Sequence, residues 1–321
     1  MQRPAVVLLP LLALAGCGSS PGAGGDDAPG GDAPAADAGP CGLRGGTRGL
    51  STRELVIGGG KRTYLVYLPA AADPQAPLPL VFVHHGYTMS GRKMYDVTRY
   101  AALADTEGIA VVFPDGQGGA DSLLAPWDVG SDVCPSIAGA PPVATGDDFA
   151  FLDAMKADVA ADQCVDGQHV FVTGFSMGGY FSHHAGCMRP DVRGIAPHSG
   201  GTHDLAGCAS ARKPVIIFHG SADPVIPAGC DDPAASPVAG VTASADAWAA
   251  HNGCGLATIS TAVTGGTCKR YVGCPDDGQV ELCTFPAMGH CWAGGPGLVY
   301  GCPTYADATR LEWQFWKRFA W

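Results

Sequence analysis

One serine stands in a glycine-rich turn near the middle of the chain, in Gly174-Phe175-Ser176-Met177-Gly178-Gly179. An apolar run, Val170 to Thr173, comes directly before the turn, and a predicted helix follows it. A strand, a tight turn with one serine and then a helix are typical of a nucleophile elbow, which projects the hydroxyl from a strained backbone. Glycines flank the serine because a side chain two positions away would collide with neighbouring elements. The spacing therefore predicts acyl-transfer chemistry at Ser176.

The G-x-S-x-G pattern also occurs in Gly18-Ser19-Ser20-Pro21-Gly22. No strand precedes that match and a proline lies inside it, so we discount it. A serine nucleophile also needs a general base, an acid that orients the base, and donors for the oxyanion.

The acid and the base are both expected beyond Ser176, each in a loop that follows a predicted strand. Asp223 follows the strand at 214–218, where an acid could accept a proton from histidine Nδ1, and Asp204 and Asp246 are weaker candidates. His290 is the only histidine beyond the last predicted strand. Neutral imidazole can take the serine proton and return it to the leaving alcohol. The alternatives are an Asx-Pro turn for the aspartate and a packed loop position for the histidine.

The backbone N–H of Met177 is the first expected oxyanion donor, because it follows the nucleophile directly. The second is expected from His84-His85-Gly86-Tyr87, after the predicted strand Leu80 to Val83. The Tyr87 N–H is the first choice and the Gly86 N–H the second. Trp127 and Trp292 are candidate aromatic walls of a substrate site, although ordinary core packing explains such residues equally well.

The chain has 321 residues, of which 46% are hydrophobic, enough for one large α/β domain. Residues 1–17 read as a lipoprotein signal peptide that ends in a lipobox at Cys17, and an ordinary signal peptide cut nearby is the alternative. The apolar run is far shorter than the ~20 residues that a bilayer requires. We therefore expect an exported protein, either lipid-anchored to a membrane or the cell surface or extracellular.

Residues 18–40 are almost entirely Gly, Ala, Pro, Ser and Asp, so they predict a flexible tether before a catalytic domain at 41–321. The tether holds four of the thirty acidic residues, and one of the nineteen basic residues, Arg3, precedes it. The domain thus carries 26 acidic and 18 basic residues, a net charge of −8. This balance, without a basic cluster, argues against a nucleic-acid partner.

Without Cys17, twelve of the thirteen cysteines remain. An even number in an exported chain suggests up to six disulfides, whose connectivity the count does not determine. No His/Cys spacing resembles a zinc site, and no metal or other cofactor is expected.

Predicted strands and helices alternate along the domain. A hairpin, with strands at 54–57 and 63–68, opens it, and continuous apolar runs mark further strands that are buried on both faces. Helices are expected at 91–107, from Asp147 onwards, after the elbow, near 242–251 and at about 304–319. About eight strands in this order predict a single α/β-hydrolase domain, with a mostly parallel eight-stranded sheet and helices on both faces.

Taken together, the segments around Tyr87, Ser176, Asp223 and His290 resemble a family of secreted esterases that includes extracellular polyhydroxybutyrate depolymerases and feruloyl esterases. The resemblance covers roughly residues 41–320, including an opening hairpin at 62–69. It implies a Ser176-Asp223-His290 triad and a disulfide between Cys254 and Cys274.

The chain departs from that family's pattern in three ways. Tyr87 stands where the family often has cysteine, which a backbone donor tolerates although the pocket shape can differ. Cys291 and Ala293 interrupt the family's histidine loop, so Cys291 is expected to fix this loop through a disulfide. The third departure is that no appended domain for adsorption to a solid polymer is seen.

These features favour hydrolysis of feruloyl or acetyl esters of plant polysaccharide, or of short hydroxyalkanoate oligomers, through an acyl-enzyme. The alternatives are an extracellular polyhydroxyalkanoate depolymerase, a non-catalytic binding lipoprotein on the same fold, and a serine peptidase of similar fold. Partners are therefore expected to be small or polymeric esters, with a membrane contact only through a lipid on Cys17.

Overall fold

Strands and helices alternate in the middle of the described chain, and runs of successive strands lie on either side. The computed structural model describes residues 45–121, 124–130, 146–201, 205–226 and 237–319. The strands are β1 (Gly49–Ile57), β2 (Gly60–Leu68), β3 (Leu78–His84), β4 (Ala110–Pro114), β5 (Val165–Phe175), β6 (Gly194–His198), β7 (Val215–Gly220), β8 (Thr258–Val263), β9 (Gly266–Tyr271), β10 (Val280–Phe285), β11 (Trp292–Ala293) and β12 (Gly301–Cys302). The helices are α1 (Gly91–Thr98), α2 (Tyr100–Glu107), α3 (Asp148–Asp162), α4 (Met177–Met188), α5 (Pro237–Asn252) and α6 (Ala308–Trp316).

Within the described ranges, one sheet has the strand order β1-β2-β4-β3-β5-β6-β7-β10-β9-β8. The six strands from β4 to β10 in this order are parallel, and the strands at both ends are antiparallel. The predicted fold class, an α/β domain with a mostly parallel sheet, is confirmed. All described residues fall within one unit, Ala38–Trp321.

The sheet is wider than the eight strands expected, because β8 and β9 extend it through the cysteine-rich segment. Every residue of β8 except the half-buried Val263 is exposed, so the strand lacks the buried positions by which a strand is recognised in a sequence. A disulfide between Cys268 and Cys283, which are paired in register, joins β9 to β10. The covalent link compensates for the small apolar area that this edge buries.

Two apolar clusters cover the two faces of the sheet, since successive strand residues point to opposite sides. Phe82 and Val172 face the cluster that contains Trp248 of α5. Val83 and Phe171 face the other cluster, which contains Trp313 of α6. The parallel strands are thus buried on both sides, which explains their continuous apolar sequences.

Two helices differ from the prediction. The helix expected at 91–107 is divided into α1 and α2 at Arg99, whose φ of 59° is left-handed and interrupts the helical backbone. The final helix begins at Ala308, where the Asp307 side chain accepts a hydrogen bond from the Arg310 N–H and caps the helix.

Four disulfides join described residues: Cys187–Cys208, Cys254–Cys274, Cys268–Cys283 and Cys291–Cys302. Cys164 is also disulfide-bonded. The pair implied by the family resemblance, Cys254–Cys274, is confirmed, and so is the expectation that a disulfide fixes the loop after His290.

The predicted signal peptide with its lipobox at Cys17, and the tether at 18–40, lie outside the described residues. The rival acid Asp204 does as well. Among the helices within the described ranges, none is long and apolar enough to cross a bilayer.

Two buried histidines at the end of β3 make stability depend on acidity. Burial lowers the pKa of His84 to about 3 and that of His85 to about 4, against the opposing effect of their backbone hydrogen bonds. Because the unfolded chain takes up these protons near pH ~6.5 and the folded chain does not, stability is lost as the pH falls below ~6.5.

We expect the free energy of unfolding to fall between about pH 6.5 and pH 4.5, each histidine contributing up to about 1.4 kcal/mol per pH unit. Urea denaturation at several pH values measures this slope. His84→Gln removes one titrating group and should make the slope shallower, whereas an identical slope in the variant would contradict the assignment.

Candidate active site

Ser176 occupies the turn between β5 and α4 with a positive φ of 56° and a ψ of −116°. Its N–H donates to the His198 carbonyl at 2.9 Å, and its own carbonyl accepts from the N–H groups of Gly179 and Tyr180. A residue other than glycine is strained at such a positive φ. The strained backbone persists only where contacts with the surrounding structure stabilise it. The predicted strand, turn and helix are therefore present around Ser176.

The two glycines that flank Ser176 lie against backbone with no room for a side chain. A Cβ on Gly174 would lie 2.4 Å from the Gly178 carbonyl oxygen, and a Cβ on Gly178 would lie 2.3 Å from the His84 carbonyl oxygen. The steric reason inferred from the sequence is thus visible in the structure. Contact between α4 and the end of β3 requires glycine at both positions.

Asp223 and His290, from different loops, are joined by a hydrogen bond. The His290 Nδ1–H donates to Asp223 Oδ2 at 2.7 Å, which leaves Nε2 as the other ring nitrogen. Asp223 Oδ1 accepts from the N–H groups of Val225 and Ile226 at 2.8 and 3.0 Å. Burial alone would raise the pKa of Asp223, but the bond from His290 and these backbone donors outweigh burial and lower the pKa. The carboxylate is therefore held in its charged form.

Parallel pairing of β7 with β10 brings the two loops together. The Ala222 N–H donates to the Met288 carbonyl at 3.0 Å, and a Cβ on Gly220 would lie only 2.2 Å from that same oxygen. Asp246, a rival for the acid, is instead hydrogen-bonded to the Tyr271 hydroxyl at 2.5 Å. Of the candidate acids that the structure describes, Asp223 alone contacts His290.

The loop after β3 reaches Ser176 at Gly86, where a Cβ would lie 3.1 Å from the serine Cβ. The Gly116 N–H donates to His85 Nε2 at 2.8 Å, so the proton of neutral His85 is on Nδ1, which donates to the Gly86 carbonyl at 2.7 Å. The hydrogen bond from His85 to the Gly86 carbonyl fixes the peptide group between Gly86 and Tyr87, which also carries the Tyr87 N–H. Among the described residues, neither the Tyr87 N–H nor the Met177 N–H has a hydrogen-bond acceptor.

Ser176, His290, Met177 and Tyr87 line one cavity of about 220 Å³. Most of the other lining is apolar or aromatic, and comes from residues that the sequence did not single out: Met89, Val129, Phe175, Tyr180, Val225, Ile226 and Tyr300. They come from strand β5, helix α4 and several loops, and they share no periodic pattern, so only the assembled fold identifies them.

The two tryptophans proposed as walls do not line this cavity. Trp127 is 1% exposed, and its indole N–H donates to the His85 carbonyl at 2.8 Å, so it supports the loop after β3. Trp292 is also 1% exposed; it donates to Thr309 Oγ1 and stacks on His198. Core packing, the alternative left open by the sequence, accounts for both.

The sheet order and the elbow define an α/β-hydrolase. Residues 62–236 match the family described as Esterase PHB depolymerase, more than half of the chain, and the protein belongs to that family.

Two feruloyl esterases are similar to this protein over much of the chain. The protein is 28% identical over 272 residues to feruloyl esterase B of Piromyces equi, covering 81% of this chain and 45% of the relative. It is 31% identical over 215 residues to feruloyl esterase C of Emericella nidulans, covering 64% of this chain and 67% of the relative. The chain thus spans about half the length of the first relative and about two thirds of the second.

Among solved structures, the acetyl xylan esterase from Aspergillus awamori superposes with a TM-score of 0.58. The sequence identity is 16%, and the match covers 82% of this chain and 98% of that one. At this identity the likeness concerns the fold.

Gly178→Ala tests the close approach at the elbow. We expect it to lower the free energy of unfolding by about 1–3 kcal/mol or more, because the added methyl meets the His84 carbonyl. Thermal and urea denaturation measure the loss. Gly167→Ala is the matched control, since a Cβ there has no neighbour within 4 Å. Equal stability of the two variants would show that the crowding is not real.

Proposed function

We propose that the protein is a serine esterase that hydrolyses carboxylic esters through an acyl-enzyme. The observation that carries the proposal is the Asp223–His290 hydrogen bond, since this histidine and the backbone-strained Ser176 line the same cavity. An aspartate that is held charged, a histidine whose Nδ1 donates to it and a half-buried serine in a strained turn are the parts of a nucleophilic triad.

In the proposed reaction, Ser176 Oγ attacks the ester carbonyl carbon while His290 Nε2 takes the hydroxyl proton. Asp223 holds the imidazole in the Nδ1–H tautomer and stabilises its cationic form. The proton then passes from Nε2 to the leaving alcohol as the C–O bond breaks, which leaves the acyl group on Ser176. Water, activated by the same nitrogen, hydrolyses this acyl-enzyme and restores the serine.

The oxyanion formed in each step would be stabilised by the N–H groups of Met177 and Tyr87. Both belong to residues on the cavity wall, and both lack an acceptor among the described residues. Donors that are already in place cost no reorganisation when charge develops, and each is typically worth about 3–4 kcal/mol. The His85 bond to Gly86 supports the second donor by holding its peptide.

We infer that the preferred substrates are esters whose acyl group is apolar and planar, such as a hydroxycinnamoyl group. Phe175, Tyr180 and Tyr300 line the cavity together with methionine and aliphatic side chains, and its described lining contains no Asp, Glu, Lys or Arg. Aromatic rings favour stacked or edge contacts with flat ligands. The names of the relatives, feruloyl esterases, support this choice, and the family description supports hydroxybutyrate esters as the second candidate.

Hydrolysis of methyl ferulate, p-nitrophenyl acetate and a hydroxybutyrate oligomer by the purified, oxidised protein tests the proposal. Ser176→Ala is expected to lower kcat by about 10⁴-fold or more while the protein stays folded. Methyl ferulate should have the highest kcat/KM.

Equal rates for wild type and Ser176→Ala would instead favour a non-catalytic binding protein on the same fold. Faster turnover of the hydroxybutyrate oligomer would favour the depolymerase alternative. Cleavage of peptide amides would favour a peptidase.

We also propose that the protein is exported and held by a lipid on Cys17. The lipobox sequence, the even number of remaining cysteines and the four disulfides between described residues support export to an oxidising compartment.

In a bacterial host that processes lipoproteins, the wild type should sediment with membranes and Cys17→Ser should appear in the soluble fraction. Immunoblotting of the fractions measures this shift, with Cys254→Ser as a control that keeps the lipobox. Identical fractionation of wild type and Cys17→Ser would contradict the proposal that a lipid on Cys17 anchors the protein.

A further inference from the structure

Glu312 is a carboxyl group buried without exposed surface in the middle of α6, outside the cavity. Its Oε1 accepts a hydrogen bond from the Tyr100 hydroxyl. Its Oε2 lies 3.0 Å from Thr173 Oγ1 and 2.8 Å from His198 Nε2. The side chain therefore joins the last helix to α2, β5 and β6, and the proposed mechanism does not use it.

Two of the residues that contact Glu312, Thr173 and His198, lie close to the proposed nucleophile Ser176 in the structure of β5 and β6. Thr173 precedes Ser176 by three residues on β5. His198 is the last residue of β6, and its carbonyl is the acceptor for the Ser176 N–H at 2.9 Å. Glu312 thus holds the ends of both strands on which the strained turn rests.

A third link reaches the loop of the proposed base. The His198 ring is stacked between Phe218, at a centroid distance of 4.4 Å, and Trp292, at 3.6 Å. Trp292 follows His290 by two residues and forms the short strand β11. A change in the His198 ring would therefore displace both the support of Ser176 and the segment that carries His290.

We propose that Glu312 is a positioning residue for the nucleophile, acting as a neutral hydrogen-bonding acid through Thr173 and His198. The inference rests on the proposed function, since it assigns to Ser176 the reaction described above. Interior packing transmits small displacements, and a misplacement of about 1 Å at a reacting group can cost on the order of 100-fold in rate.

The neutral form follows from the surroundings. Burial raises the pKa of Glu312 well above its ordinary range and lowers the pKa of His198 well below its own. In a buried ion pair, the attraction between the charges has to offset the hydration free energy that both groups lose. A neutral acid beside a neutral imidazole avoids that cost. The Thr173 hydroxyl has its own acceptor, the Ala196 carbonyl at 2.6 Å.

Glutamine can replace a neutral acid at this site. Its amide oxygen can accept from the Tyr100 hydroxyl, and its two N–H groups can donate to His198 Nε2 and Thr173 Oγ1. Leucine has a similar volume but removes the hydrogen-bond partner of the Tyr100 hydroxyl and of His198 Nε2, at a cost for each buried group, and leaves Thr173 only its bond to the Ala196 carbonyl. Glu312→Gln and Glu312→Leu therefore separate hydrogen bonding from volume.

The experiment compares these two variants, Thr173→Val and a control, Phe315→Leu, which alters a buried ring on the same helix. Each is assayed with p-nitrophenyl acetate well below its melting temperature, for kcat, KM and the rate of the acylation burst. Labelling of Ser176 by a fluorophosphonate, followed by mass spectrometry, gives the reactivity of the serine without turnover.

We expect Glu312→Leu to lower kcat and the labelling rate by about 10-fold or more, with KM changed by less than about 3-fold. Glu312→Gln should stay within about 3-fold of wild type in all three quantities. Thr173→Val, which keeps its volume but loses the hydroxyl, should be about 3- to 10-fold slower even if Glu312→Leu does not fold. Phe315→Leu should lose stability without losing kcat.

Wild-type labelling rates in Thr173→Val and in any folded Glu312→Leu would overturn the positioning role. A Glu312→Gln variant as slow as Glu312→Leu would overturn the neutral-acid form, because it would make the charge essential. If the wild type itself is neither labelled at Ser176 nor active on esters, the proposed function fails, and the inference fails with it. The wild-type measurements thus distinguish a failure of the proposed function from a failure of the positioning role alone.

Discussion

The close approach between the backbone of the Ser176 turn and the backbone at the end of β3 is the constraint on which the rest of the site depends. Helix α4 contacts the end of β3 so closely that Gly178 has no space for a methyl group, and Ser176, directly before the helix, has a positive φ. Such a conformation is unfavourable by itself, so neighbouring groups must hold it. They include the His198 carbonyl, which accepts the Ser176 N–H, and the loop that places Gly86 against the serine Cβ.

The groups that meet Ser176 come from loops that the same sheet arranges. Parallel strands end at one edge, so the segments that follow β3, β5, β7 and β10 are brought together there. The loop after β3 carries Tyr87, while the loops after β7 and β10 carry Asp223 and His290. Hydrogen bonds between these last two loops, such as Ala222 N–H to the Met288 carbonyl, fix their spacing before any substrate is present.

Sequence reasoning succeeded where one local pattern determines the structure. The apolar runs indicated the parallel strands, since both faces of those strands are buried. Glycine spacing indicated the elbow, because the steric demand there is local. It failed for β8, whose exposed residues lack periodicity, and for the break at Arg99, which no glycine or proline marks. The pairing of Asp223 with His290 was expected from their order along the chain.

Residues whose role depends on distant partners were not found from the sequence. Trp127 and Trp292 were chosen because large aromatic residues often line sites, yet both are core residues that support loops. Glu312 drew no attention, because a glutamate in a helix gives no sign that Tyr100, Thr173 and His198 surround it. The cavity lining could not be predicted either, since its residues come from a strand, a helix and several loops that are distant in sequence. Only tertiary contacts, which sequence periodicity does not encode, reveal these positions.

The hydrogen bond between Asp223 and His290 also bears on how the chain folds. It spans 67 residues, and the parallel pairing of β7 with β10 brings its two partners together. Long-range pairing of this kind pays the entropy of closing a large loop before it gains any contact, so it tends to occur late and slowly. Partly folded forms of the chain therefore lack the assembled site. Recovery of the intact constellation during refolding is thus a measure of global, not local, structure formation.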